Sequence, residues 1–371
     1  MTVLDTRALN RATLERQLLL RRASLTALEA VERLVGMQAQ APFPPYTGLW
    51  TRLSGFQPDE LSKLLIDRGV VRLALMRSTV HLVSAADCLA LRPVVQPMLE
   101  RTLRAAHAGQ LAALDVQEVV AFGRALVEER PRDTGELGRL LMERWPGLDR
   151  QALLNIVRTH LPLVQVPPRA VWGKSGRPTV TTAEAWLGRP MAASAAPDAM
   201  VLRYLSAFGP ATVADVQKWS GLTRLQEVVD RLGPALRVFR DERGATLYDL
   251  PDAPRPDPGV PAPVRFLPEF DNLLLSYADG SRVVAAEHRP ALFTVNGIIR
   301  ASVLVDGVAR ASWKITESRA GKGARGMARL VVQPFTRLSA GEVSAVQDEG
   351  ARLLAFSAPD APHEIELAPP P

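Results

Sequence analysis

Cysteine is almost absent: Cys88 is the only one in 371 residues. No intramolecular disulfide can form, nothing favours an oxidising compartment, and one thiolate cannot build a zinc cluster. Histidine is nearly as scarce. His81, His107, His160, His288 and His363 are scattered without metal-ligand spacing, so no metal and no cofactor are expected. No apolar run approaches the length of a membrane span. The N-terminus lacks a charged region followed by an apolar core and a cleavage site. The expectation is a cytoplasmic protein without membrane contact or an obligate protein partner. With 47% hydrophobic and 23% charged residues, wholesale disorder is excluded.

What is present is length and positive charge. A chain of this size holds about two to four folding units and ample core. The net charge of +6, carried mostly by arginine, suits a polyanionic partner. The wealth of Arg, Ala and Pro also fits coding bias in a GC-rich genome, so charge supports DNA binding only modestly.

The clearest unit spans 193–250. Val213, Val216 and Trp219 mark a short helix, Ser220-Gly221-Leu222 a turn, and Leu225, Val228, Val229 and Leu232 a second helix capped by Thr223. Segments 236–240 and 245–250 then read as a hairpin, completing a winged-helix order. A fainter copy occupies 111–192, with helices at 116–129, 134–144 and 150–159 and a wing at 172–177. Another occupies 1–110, with helices near 11–21, 26–35 and 58–67 and strands 70–76 and 79–83. Residues 251–263 are Pro-rich and read as a linker. Beyond them, strands at 264–268, 302–306, 309–316 and 327–333 make 264–371 a β-rich domain with a loose end at 368–371. The fold class is therefore α+β: three tandem winged-helix units with a C-terminal β-rich scaffold domain.

Met37-Gln38-Ala39-Gln40-Ala41-Pro42 follows a helix opened by a Thr26/Glu29 capping box and ended by Gly36. Pro42 favours extended backbone before it, which puts Gln38 and Gln40 on one face. Neutral amides cannot act as acid or base, but their carbonyls can hold and orient a water. Taken alone, such a triplet is usually a loop. Alternation places Arg77, Thr79 and His81 on one strand face that can border a cleft; a satisfied structural histidine is the plainer alternative. Glu269 and Asp271 offer acid–base chemistry or turn caps. Arg77 in the first unit, Lys174 and Arg177 on one wing, Lys218 and Arg224 in the third unit, and Lys314 on a strand are candidate phosphate contacts. Gly321 to Gly326 spells G-x-G-x-x-G, but a strand follows it instead of a helix, which removes the dinucleotide reading. A basic hairpin tip carrying Arg319, Lys322 and Arg325 remains.

Three motifs together, Val35-Gly36-Met37-Gln38-Ala39-Gln40, Thr79-Val80-His81-Leu82-Val83 after Arg77, and Leu267-Pro268-Glu269-Phe270-Asp271-Asn272-Leu273-Leu274-Leu275-Ser276, resemble the AlkZ-type winged-helix DNA glycosylases. The resemblance covers the whole chain. It implies a concave surface for double-stranded DNA, excision of N7-alkylated purines, and unhooking of interstrand cross-links in antibiotic self-resistance of the azinomycin kind. It also implies Gln38 and Gln40 as catalytic residues and a DNA-contacting hairpin near 317–326. It carries no catalytic role to His81 or Asp271. Gly280 after Asp279 departs from an Asp-Arg pattern of relatives, leaving Arg282 as the nearby cation. Two other readings stay open: a non-catalytic winged-helix DNA-binding regulator, and an N-glycosidase acting on RNA or nucleosides.

Overall fold

The computed structural model describes residues 2–112, 114–317 and 326–370. Among them the chain is mixed α+β, with three sheets. In the smallest, β1 (Val3–Leu4) pairs in parallel with β8 (Arg237–Asp241), which pairs with β9 (Thr246–Asp249). The six-stranded sheet has the order β2 (Met37–Gln38), β4 (Val80–Ser84), β3 (Val70–Ala74), β6 (Leu163–Gln165), β7 (Thr179–Thr182), β5 (Arg132–Asp133). The third runs β10 (Arg265–Leu267), β11 (Ser302–Val305), β12 (Val308–Glu317), β13 (Ala328–Pro334), β14 (His363–Leu367). The six-stranded sheet crosses the expected boundary at 110/111, because β3 pairs with β6. The chain start likewise closes the hairpin of residues 193–250.

Aspartates cap the three helices of the second unit. Asp115, Asp133 and Asp149 accept backbone N–H groups at the starts of Val116–Glu129, Thr134–Arg144 and Arg150–His160. Val119, Val127, Leu141, Leu153, Ile156 and Val157 fill their common core. The first helix lies earlier than its apolar pattern implies, at Thr6–Arg16. Asp5 caps it, and the chain turns sharply afterwards with Leu18 at φ 59°. The helical stretch Ala85–Leu111, kinked at His107 (φ −138°), does not follow from the sequence pattern because Pro93 and Pro97 lie inside it. It buries Leu91, Val95, Met98 and Leu99 against Tyr204, Phe208 and Trp219, joining the first unit to the third.

The Pro-rich segment is no free tether. Arg7, Arg11 and Arg16 donate to the carbonyls of Pro258 (2.7 Å), Val260 (2.6 Å) and Pro254 (3.1 Å), strapping it along the first helix. A run short of N–H groups leaves its carbonyls open to such donors. The C-terminal end is also tied down: Ala368 N–H donates to Val332 and the Pro369 carbonyl accepts from Gln333. In the third sheet, the helix Ala340–Ser357 packs Val346, Leu353 and Leu354 onto Phe266, Leu330 and Val332.

Candidate active site and DNA-facing surface

The Gln-Ala-Gln stretch is shaped by how the preceding helix ends. Thr26 and Glu29 form the expected capping box of Ala27–Arg33. Its far end uses Val35 (φ 55°) as well as Gly36 (φ 83°), whose N–H donates to Val31 at 2.9 Å. A Cβ on Gly36 would stand 2.5 Å from Val83 Cγ1, so only glycine lets the chain turn this close to β4. β2 then runs along the sheet edge, with Met37 opposite Leu82 and Gln38 opposite His81.

Four side chains fix that strand. Asn272, from the C-terminal domain, brackets its open edge: Nδ2 donates to Gly36 O (2.8 Å) and Oδ1 accepts from Gln38 N–H (3.3 Å). The side-chain amide thus replaces a missing strand partner. Arg72 donates to Ala39 O at 2.7 Å and to Gln165 Oε1 at 2.7 Å. Ala39 N–H donates to Val80 O at 2.7 Å, and Gln40 Oε1 accepts from Val80 N–H at 3.2 Å. The Gln40 side chain therefore continues the ladder to β4. Arg77 Nη2 donates to Gln38 Oε1 at 2.8 Å, while its Nη1 donates to Trp219 O in the third unit.

Both amides share a region, but their carbonyls are not free. Arginine and a backbone N–H can only donate, so each Gln turns its oxygen inward and has its NH2 available. Among the described residues no hydrogen bond engages either Nε2. Gln38 is buried and Gln40 exposed, which places the pair across a protein–solvent boundary.

Arg77 lies in a 3-10 turn, Met76–Ser78, with φ 55°, and not on the strand face with Thr79 and His81. Burial lowers its guanidinium to about 10, still a cation at neutral pH. Its two partners make it a positioning group, which corrects its assignment as a phosphate contact. Arg158 of the second unit holds the same turn through Ser78 O at 2.9 Å. All three helical units therefore converge on it. His81 is fully buried, its Nδ1 is 3.0 Å from Thr79 O, and its Nε2 has no partner. Burial and, secondarily, the Arg77 charge push it down to about 3, so it is neutral and does not line an open cleft. Thr79 is half-buried and donates to Met76 O.

Asp271 is buried in a two-pronged pair with Arg52, both bonds 2.8 Å, which removes it as an acid or base. Glu269 is exposed and reaches the same small cavity as Gln38 and Phe270, with a volume of about 10 Å³, room for roughly one water. Arg282 is buried over the Tyr277 ring and donates to Pro210 O, so it is structural and no substitute DNA contact. Burial raises the Cys88 thiol to about 12, excluding it as a nucleophile.

Lys174, Arg177, Lys218 and Lys314 are exposed, as a phosphate contact requires. Arg224 is exposed and paired with Glu227 at 3.2 Å. The expected cap of the next helix is also different: Gln217 Oε1 accepts from Leu225 N–H where Thr223 was expected. Arg319, Lys322 and Arg325 lie outside the described residues. Among those described, no group of His, Cys, Asp and Glu can hold a metal, and no helix is long and apolar enough to cross a membrane. Sequence reasoning missed Asn272, Arg72, Arg52 and Trp219 as the site's supports. Asn272 stood inside the third motif, but nothing local links it to Gly36.

Comparison with known proteins gives the family. A family model for DNA glycosylases of the AlkZ-like kind matches residues 31–356. An interstrand DNA cross-link repair glycosylase of Streptomyces sahachiroi is 24% identical over 364 residues, covering 92% of this chain and 93% of that protein. The solved structure of Streptomyces sahachiroi DNA glycosylase AlkZ superposes with a TM-score of 0.79 at 21% identity, covering 99% of this chain and 100% of that one. Fold and family together define the class: a DNA glycosylase, a hydrolase acting on DNA. The chain belongs to the AlkZ-like family of these enzymes.

Proposed function

We propose that this enzyme hydrolyses the N-glycosidic bond of N7-alkylated purines, including N7-linked interstrand cross-links, in self-protection against a DNA-alkylating antibiotic. The observation that carries the reading is the chemistry around Gln38 and Gln40: two neutral amides, with Asp271 neutralised by Arg52 and His81 held neutral. An N7-alkylguanine already bears positive charge. When its glycosidic bond breaks, the base keeps the electron pair and departs neutral, so no strong general acid is needed. Positive charge develops on the sugar, and water adds at C1′ and passes its proton to bulk solvent.

Arg77 polarises the Gln38 amide and strengthens Nε2–H as a donor to that water. The second lone pair of Gln40 Oε1 accepts one of the water's hydrogens, fixing its orientation. The product is an abasic site, without a covalent enzyme–sugar intermediate. An open cleft with limited base extrusion suits a bulky cross-link better than a snug pocket. We read residues 1–110, 111–192 and 193–250 as tandem winged helices on the 264–371 scaffold. Lys174, Arg177, Lys218, Lys314 and the 317–326 hairpin are its proposed phosphate contacts.

The test is alkali-labile strand scission in duplex DNA carrying N7-methylguanine or an N7–N7 cross-link. Gln38→Ala with Gln40→Ala should lower the single-turnover rate by roughly 100- to 1,000-fold while retaining binding. Equal rates in wild type and double variant would remove the assignment.

The regulator reading finds less support. On the helix Gln226–Leu232, Gln226 bonds Asp230, Arg231 pairs with Asp198, and Glu227 pairs with Arg224, leaving few free groups to read bases.

A further inference from the structure

A groove of about 560 Å³ lies on the C-terminal domain between the turn at 293–299 and the outer face of β12 and β13. Its lining includes Glu269, Arg300, Trp313, Lys314 and Gln333. Glu269 also borders the cavity beside Gln38, so the groove and that cavity meet at this residue.

The turn is built firmly. Phe293 and Ile299 form a β-bridge, Thr294 N–H donates to Ile298 O at 3.0 Å, and Gly297 takes φ 75°. Leu292 and Ile299 anchor its base in the core. Phe270 N–H donates to Ile299 O at 3.1 Å, tying that base to a residue lining the Gln38 cavity. Its tip is apolar and in water: Val295 is 102% exposed and Ile298 44%. Arg300 follows directly. Among the described residues neither Arg300 nor Lys314 has an ion pair, and Glu269 is the groove's one carboxylate.

One exposed aliphatic side chain signifies nothing by itself. Here an exposed apolar tip and two cations without ion pairs flank a groove that shares Glu269 with the cavity beside Gln38. Double-stranded DNA matches all of them: cations for one phosphate strand, and an apolar wedge for a base step. We propose that the turn 293–299 is a DNA-contacting wedge, with Arg300 and Lys314 holding one backbone in the groove and Val295 and Ile298 pressed beside the lesion. The proposal rests on the glycosylase reading above for the placement of the lesion.

The experiment measures full-length protein on an undamaged duplex across a salt series, with 2-aminopurine reporting unstacking. Arg300→Ala with Lys314→Ala should weaken binding and make the log–log salt slope shallower by about 2. Val295→Ser with Ile298→Ser should keep the slope, abolish the 2-aminopurine signal and weaken binding roughly tenfold, the scale of one buried aliphatic group. These positions are exposed, so all variants fold. Wild-type affinity, slope and fluorescence in both variants would overturn the wedge. Base release from alkylated DNA is scored separately: wild-type protein that releases no base defeats the glycosylase reading, whereas base release with four silent substitutions defeats the wedge alone.

Discussion

The strand Met37–Gln38, which carries a candidate catalytic glutamine, and the helix Gln226–Leu232, the second of the helix-turn-helix, both carry polar side chains, and the fold treats them in opposite ways. Around the strand, the partners come from far along the chain: Arg72, Arg77, Asn272 and, through Arg77, Trp219. On the helix, Gln226 bonds Asp230 and Glu227 pairs with Arg224 within one or two turns, and the one more distant partner, Asp198 of Arg231, is met at the solvent-exposed surface. Long-range partners hold a group at a fixed place relative to the whole molecule, which catalysis needs. Short-range exposed pairs fix little beyond the helix surface. On the proposed function, the first region is the one preorganised for chemistry and the second serves as scaffold.

The sharpest way to break the contrast is to attack what secures Asn272. Arg52 pairs with Asp271, the preceding residue, and also donates to Gln17 O and Gly48 O. Arg52→Ala leaves a buried carboxylate unpaired and should cost about 3–5 kcal/mol, read as a fall in Tm. Adding Asp271→Leu should recover much of the loss; no recovery would mean that Arg52 acts through packing. Next comes Arg77→Met, which should slow base release roughly 10- to 100-fold with DNA affinity and salt slope unchanged. A shallower salt slope with a normal rate would instead make Arg77 a phosphate contact.

Local elements were readable because their causes are local. The capping box at Thr26, the helices at 116–129 and 134–144, and the hairpin of β8 and β9 follow from spacing and caps. The helix Ala85–Leu111 was hidden because prolines usually end helices, and here tertiary packing overrides that rule. Of the site, Gln38 and Gln40 were visible as an extended pair. Their supports were not, since Asn272 is 236 residues from Gly36 and Arg77 is 142 from Trp219. The arginine count has a similar limit: Arg11, Arg16, Arg52 and Arg72 are among the largest fully buried side chains, and the first three pair with Asp306, Asp249 and Asp271, so these arginines serve the fold.

The neutrality of His81 gives the comparison a pH test. Its value near 3 lies below the ordinary 6.5, so between those limits the unfolded chain binds more protons than the folded one. Stability from this group is complete above about pH 6.5 and falls, by at most roughly 1.4 kcal/mol per unit, as pH drops toward 3. His81→Phe should flatten that part of the acid limb in denaturant titrations. The strand would lose its order on acidification, whereas the helix Gln226–Leu232 has no histidine to respond.

The smallest effect should come from that helix. Gln226→Ala with Arg231→Ala removes the bond to Asp230 and the pair with Asp198, both exposed. Exposed pairs of this kind are worth about 0–1 kcal/mol, so Tm should scarcely move. If these side chains read bases, the cost would be far larger, about 1–3 kcal/mol for each bidentate hydrogen-bonded pair with a base, and only on particular sequences. Binding curves on several unrelated duplexes separate the two cases. A uniform change of about twofold or less keeps the helix as scaffold. A loss confined to one sequence would show that its surface pairs open on DNA, and the division between a preorganised strand and a structural helix would fail.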